Sequence, residues 1–181
     1  MAVARELVRQ RYIGPGALTL RHWRGGWWTW AGSHWVERED RAVRNECYAF
    51  TERAVYLTEK GARPWEPTRF KVGNLLEALA AVTHLDETVD QPSWINGHSG
   101  EAVVAVANGL LDLDRRRLLP HSPHYFNQTA VPFDYQPRAP LPARWLEFLS
   151  ELWPDDPSRW PRWASSSATS SAGVSTCTRS Y

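Results

Sequence analysis

Leu18-Thr19-Leu20-Arg21-His22-Trp23-Arg24-Gly25-Gly26-Trp27-Trp28-Thr29-Trp30-Ala31-Gly32-Ser33-His34-Trp35-Val36-Glu37 puts five tryptophans and three glycines into one short stretch. Its reading decides the fold. Leu18 to Trp23 alternates as a strand does, Gly25-Gly26 predicts a turn, and Trp27 to Trp30 returns. Ala31-Gly32-Ser33 turns again, and His34 to Glu37 forms the third strand. The stretch is therefore a Trp-rich antiparallel meander. A sheet this small needs bulky cross-strand pairs, and tryptophan supplies them. Alternation sends one set of rings to a core and leaves one or two exposed. Core packing is the weightier use of such rings. The other use is base stacking, worth ~1–3 kcal/mol per base. Arg21, Trp23, Arg24 and Trp28 are the candidate DNA contacts on this reading.

Helices surround the meander. Met1 to Ile13 reads as a short helix with Val3, Leu7 and Val8 inward, stopped by Gly14-Pro15-Gly16. Asp40 is placed to cap a helix running to about Leu57. Val43, Cys47, Phe50, Ala54 and Leu57 would share one face of it. A second helix is predicted from about Thr68 to Leu85, with Val72, Leu75, Leu76, Leu79 and Val82 inward. Asp86 to Glu101 reads as a polar loop. Ala102 to Ala107 is a buried strand by composition, and Asn108-Gly109 predicts a hairpin turn into Leu110 to Leu113. Arg115, Arg116 and Arg117 fall at the next turn. Pro132 to Pro142 reads as extended. Pro142 opens a last helix with Trp145, Phe148, Leu149 and Leu152 on one face. The class is α+β: a Trp-rich antiparallel meander, several helices and a second β-hairpin, followed by a disordered C-terminal tail.

The tail stands apart in composition. Residues 158–181 hold eight serines, three arginines and no acid, a net of +3. The preceding 157 residues carry 18 bases and 20 acids, a net of −2. A bulk basic field is thus absent from the body, and any DNA contact must be local. Arg115, Arg116 and Arg117 form such a cluster, either as a solvated turn or as phosphate contacts. No run of about 18 apolar residues exists to span a membrane. The opening residues lack an apolar signal region. The two cysteines, Cys47 and Cys177, are too few for a disulfide framework. The cytoplasm is the default location.

Enzymatic signatures are sparse. The only lysines are Lys60 and Lys71, and neither sits in a glycine-rich loop that could cradle phosphates. Asp112 and Asp114 could hold a metal at a strand end, but solvated turn carboxylates are the simpler reading. His121 and His124, with His98 upstream, lack the further ligands that zinc requires. Ser99-Gly100 and Ser33-His34 fit no nucleophile elbow. No catalytic residue, metal site or cofactor is assigned.

An ordered series of motifs carries a resemblance. The series is Trp23-Arg24-Gly25-Gly26-Trp27-Trp28-Thr29-Trp30, Ala107-Asn108-Gly109-Leu110-Leu111-Asp112-Leu113, Leu119-Pro120-His121-Ser122-Pro123, Tyr125-Phe126-Asn127 and Val131-Pro132-Phe133-Asp134-Tyr135. Trp145-Leu146-Glu147-Phe148-Leu149 and Leu152-Trp153-Pro154-Asp155-Asp156 complete it. Over Leu18 to Asp156 the chain resembles the domain that precedes the superfamily-3 helicase motor in phage and plasmid primase–helicases, relatives of the poxvirus-type replicative NTPase. The resemblance implies a DNA replication role beside a helicase motor and a primase domain. ATP and Mg would belong to that motor, which these residues do not include. The expected division is an accessory domain over 1–157 and a tail over 158–181. From Ser158 onward, a displaced reading frame permits AVAALGEFFGYVISGRLDLHKIL, similar to the family's continuation. The tail is accordingly expected to be out-of-frame sequence and the chain a truncated, inactive form. DNA binding is expected to be weak. The alternative is an independent aromatic-rich module for peptide or carbohydrate.

Overall fold

The computed structural model describes residues 1–14, 16–59, 61–95, 97 and 102–153. The predicted tail over 158–181, His98 and Ser99-Gly100 lie outside the described residues. Two compact units divide the chain, Met1–Tyr135 and Gln136–Tyr181. The class is α+β, with short antiparallel sheets and four helices among the described residues.

The first unit starts with α1 (Ala2–Arg11), then the short strands β1 (Ile13–Gly14) and β2 (Ala17–Leu18). The meander follows as β3 (Leu20–Trp23), β4 (Gly26–Trp30) and β5 (Trp35–Arg38), in that order across the sheet. Its first turn is one residue earlier than Gly25-Gly26 suggests. Trp23 pairs with Gly26, so Arg24 (φ 47°) and Gly25 (φ 77°) make the corner. Two successive left-handed residues match the right-handed twist of the paired strands.

Helix α2 (Asp40–Thr51) stops short of Leu57. Thr51 bends its hydroxyl back to the Cys47 carbonyl at 2.7 Å, and the chain leaves the helix there. Glu39 takes the cap position, with no side-chain cap bond from it. Asp40 is the first helical residue, and it accepts from the Trp27 indole at 3.3 Å. The β-prone run Val55-Tyr56-Leu57-Thr58 becomes β6 (Val55–Thr58), paired with β7 (Gly61–Pro64). The apolar spacing that seemed to extend the helix ends on Leu57, which is 85% exposed.

Helix α3 (Arg69–Val82) agrees with the predicted pattern. Thr68 caps it by accepting from the Lys71 N–H. Val72, Leu75, Leu76 and Leu79 turn inward against Leu7 and Val8 of α1 and Val43 and Cys47 of α2. Leu20 and Trp27, on one face of the meander, complete this core. Burial pushes the Cys47 thiol up to about 11.

Beyond α3 the expected loop contains β8 (Ser93–Trp94), which pairs with β12 (Tyr125–Phe126). Between them lies a second meander: β9 (Val103–Val106), β10 (Gly109–Asp112) and β11 (Arg117–Leu119). The hairpin exists, but its corner is Ala107-Asn108, because Gly109 already pairs with Val106. Gly109 is required for another reason. A Cβ there would lie 2.4 Å from the Leu119 carbonyl oxygen of the neighbouring strand. Asn108 uses its side chain as a clamp. It donates to the Tyr135 carbonyl at 3.1 Å and accepts from the Tyr135 N–H at 2.9 Å. The second unit contains α4 (Ala143–Leu152), opened by Pro142 as expected, with Trp145 and Phe148 rings 5.4 Å apart. Among the described residues no helix is long and apolar enough to cross a membrane.

The contrast between Leu79 and Leu57 is testable. Leu79 is fully buried, so Leu79→Ala lowers the unfolding free energy by about 2–5 kcal/mol in urea denaturation. Leu57→Ala changes it by less than about 0.5 kcal/mol. A large loss at Leu57 would restore the longer helix.

Candidate nucleic-acid interface

Strand pairing sorts the first meander into two faces. Cross-strand partners share a face, so Arg21, Trp28 and Glu37 stand together, as do Trp30 and Trp35. Trp23 and Trp35 on this face are buried at 7% and 1% exposure. They pack on Phe126, with ring centroids 5.2 Å and 5.5 Å away in edge-to-face geometry. Trp28 is half-buried against Trp23 and Phe126, at 5.8 Å and 6.1 Å. Both faces of the sheet are therefore covered: one by helices, the other by the segment that carries Phe126.

The four meander candidates differ in availability. Trp23 is closed off, with Arg24 lying over its ring at 4.3 Å. Arg24 is tethered to Asp90 at 2.9 Å and to the Glu87 carbonyl at 3.0 Å. Trp28 keeps part of its ring exposed. Arg21 stands beside it in the register, half-buried, with its Nε lacking a hydrogen-bond partner. Burial lowers the Arg21 pKa from the usual guanidinium value.

Arg115, Arg116 and Arg117 lie on a different sheet, at the β10–β11 corner. Here the reading of Asp112 as a solvated carboxylate needs correction, for it is fully buried. It accepts from the Arg115 N–H at 2.9 Å and from the Arg115 guanidinium at 3.1 Å. The buried acid thus fixes the corner and occupies Arg115. Arg116 takes a left-handed backbone (φ 50°), and both Arg116 and Arg117 are exposed. The sequence offered one unused signal for this: an acid three residues before a corner residue is a common way to cap a turn.

His121 faces the Ala107 carbonyl at 3.3 Å. His124 donates its backbone N–H to the Ser122 hydroxyl. Among the described residues no three of His, Cys, Asp or Glu gather where a metal ion could be held.

A family model described as D5 N terminal like matches residues 6–154. The chain belongs to this family. Members of the D5 N terminal like family precede the superfamily-3 helicase in phage and plasmid primase–helicases, which makes this a replication-associated domain. A search of curated proteins finds no match.

The Asp112 cap gives this D5 N terminal like domain an acid-sensitive corner. The Arg115 N–H bond, opposed by burial and aided by the Arg115 guanidinium, holds the carboxyl below its ordinary 3.8. A carboxylate depressed on folding stabilises the fold fully above its unfolded value and loses that contribution as pH falls through the folded one. Asp112→Asn is therefore less stable than the parent at pH 7, and the gap narrows as pH drops below 3.8. Thermal melts across pH 2 to 7 (roughly the range over which carboxylates titrate) check this. A gap independent of pH would mean that the charge is not what matters.

Proposed function

We propose that this chain is the DNA replication accessory domain of a phage- or plasmid-type primase–helicase. It holds single-stranded DNA weakly while orienting, or helping to oligomerise, a helicase motor and coupling it to a primase. The family match over residues 6–154 carries the reading. ATP and Mg chemistry is assigned to the motor, because the chain has no glycine-rich loop ending in Lys and Ser or Thr. On this proposal the accessory domain spans 1–157, residues 158–181 are out-of-frame, and the chain acts in the cytoplasm.

Local charge supports where DNA would be touched. The body carries no net positive field, so the contact must be a cluster. Arg116 and Arg117 are exposed, and among the described residues neither is in an ion pair. Trp28 and Arg21 form a second, smaller contact, with Trp23 and Arg24 backing the ring. An independent peptide- or carbohydrate-binding module would need a contiguous exposed tryptophan face. The burial of Trp23, Trp27 and Trp35 weighs against that alternative.

Fluorescence anisotropy with labelled single-stranded DNA over a range of salt tests this proposal. Each lost phosphate contact reduces the salt slope by ~0.7. The double variant Arg116→Ala with Arg117→Ala thus lowers the slope by about 1.4. Trp28→Ala weakens binding by about 1–3 kcal/mol at every salt concentration. Parental binding in both variants would remove these contacts from the proposal.

A further inference from the structure

The hairpin of β6 and β7 is a two-stranded sheet of its own, and every residue in it is exposed. The Trp65 N–H donates to the Ala54 carbonyl at 2.8 Å, which makes Ala54 and Trp65 a hydrogen-bonded pair. Bonded and non-bonded pairs alternate along antiparallel strands, so Tyr56 and Arg63 are the next bonded pair. The N–H and C=O groups of Val55 and Leu57 therefore point away from β7. On β7 the equivalent outward places fall to Ala62 and Pro64, and Pro64 has no N–H to offer. Among the described residues no further strand borders β6. The open edge of this hairpin is thus β6.

Edges are normally blunted by charge or proline. Neither occurs between Val55 and Thr58. Val55, Tyr56 and Leu57 are instead 66%, 45% and 85% exposed. The charges lie just outside the strand, Arg53 before it and Glu59 after it. Both are exposed, and among the described residues neither forms an ion pair. They cannot meet within one chain, because six residues of extended backbone separate them by roughly 20 Å.

Arg53-Ala54-Val55-Tyr56-Leu57-Thr58-Glu59 is complementary to itself when two copies are laid antiparallel. With Tyr56 at the centre, Val55 lies opposite Leu57, and Arg53 lies opposite Glu59. Val55 and Leu57 hold the outward groups, so this register lets them exchange N–H···O bonds. Tyr56 meets its own copy at the non-bonded position, where facing side chains come closest. Sliding one copy by two residues sets Val55 against Glu59 or Arg53 against Leu57. Either slip loses the ionic match and puts a charge against an apolar side chain.

We propose that β6 is an interface for a second copy of this chain, paired antiparallel about a two-fold axis at Tyr56. The contact is isologous, since each copy gives the same strand. It is independent of the DNA contacts proposed above. One short strand from each copy buries little surface, so the dimer is weak and concentration-dependent.

Sedimentation velocity of the full chain, from micromolar to near-millimolar concentration, tests the interface. A reversible monomer–dimer equilibrium is expected. Arg53→Glu alone and Glu59→Arg alone each weaken it by about tenfold, because like charges then face each other at both ends. An equimolar mixture of these two variants recovers parental dimerisation, since one copy then carries acid at both ends and the other carries base. Leu57→Pro abolishes the dimer by removing an outward N–H, while the hairpin keeps its own bonds. A chain that stays monomeric overturns the proposal. If its binding of single-stranded DNA also falls in Arg53→Glu and Leu57→Pro, the edge serves DNA instead. A dimer that ignores all three variants, or a mixture no tighter than its components, overturns the proposal as well.

Discussion

A three-stranded sheet has two apolar faces, and the helices of this domain cover only one of them. The second face is closed by Phe126, whose ring meets Trp23, Trp28 and Trp35 at 5.2 to 6.1 Å. Its neighbour Asn127 completes the joint. The Asn127 carbonyl accepts from the Trp35 N–H at 2.7 Å, and its side chain reaches the Ser33 carbonyl. One dipeptide therefore ties the later half of the first unit to the meander by aromatic packing and by backbone hydrogen bonds together. The two contributions reinforce each other. The rings exclude water from the peptide bonds, and the bonds hold the rings in edge-to-face register. The same bond occupies the Trp35 N–H on the outer edge of β5, a group that would otherwise be left unpaired.

This joint explains what was legible in the sequence and what was not. Elements defined by their own periodicity were readable: α1, α3, the first meander and α4 fall close to where their apolar spacing puts them. Glycine positions misled by one residue in both hairpins. Trp23 pairs with Gly26 and Val106 with Gly109, so Gly26 and Gly109 begin strands rather than occupying corners. At Gly109 the demand is for space beside Leu119, a long-range fact that no dipeptide rule contains. The false extension of α2 has a similar origin. A 4-3-4-3 apolar spacing is necessary for a buried helical face, but a β-prone run can end it, as Val55 to Thr58 does. Strands β8 and β12 were unreadable because each has only two residues and its partner lies some thirty positions away.

The candidate interface was legible as residue types but not as availability. All seven candidates belong to sequence clusters that suit nucleic acid, yet cross-strand and cross-turn partners sort them differently. Asp90 and the Trp23 ring engage Arg24, and Asp112 engages Arg115. What remains outward is Arg116, Arg117 and part of Trp28. Spending one arginine on a buried acid is a reasonable way to place the others. A corner fixed by Asp112 holds the backbone of Arg116 and Arg117 at a set spacing, so less conformational entropy would be lost in the proposed contact with phosphates.

Charge then limits what the proposed DNA contact can be. A chain with a body of net −2 gains little long-range attraction for DNA, so any affinity on the proposed reading would come from short-range contacts. On the proposed reading, two exposed arginines would give a contact that weakens with salt and ignores base identity. The half-buried Trp28 ring would add a stacking contact that favours single strands over duplex, because a paired base cannot offer its face without leaving the stack. A domain standing beside a strand-separating motor, as proposed here, would meet bases that are already unpaired and would not bear the unstacking cost itself.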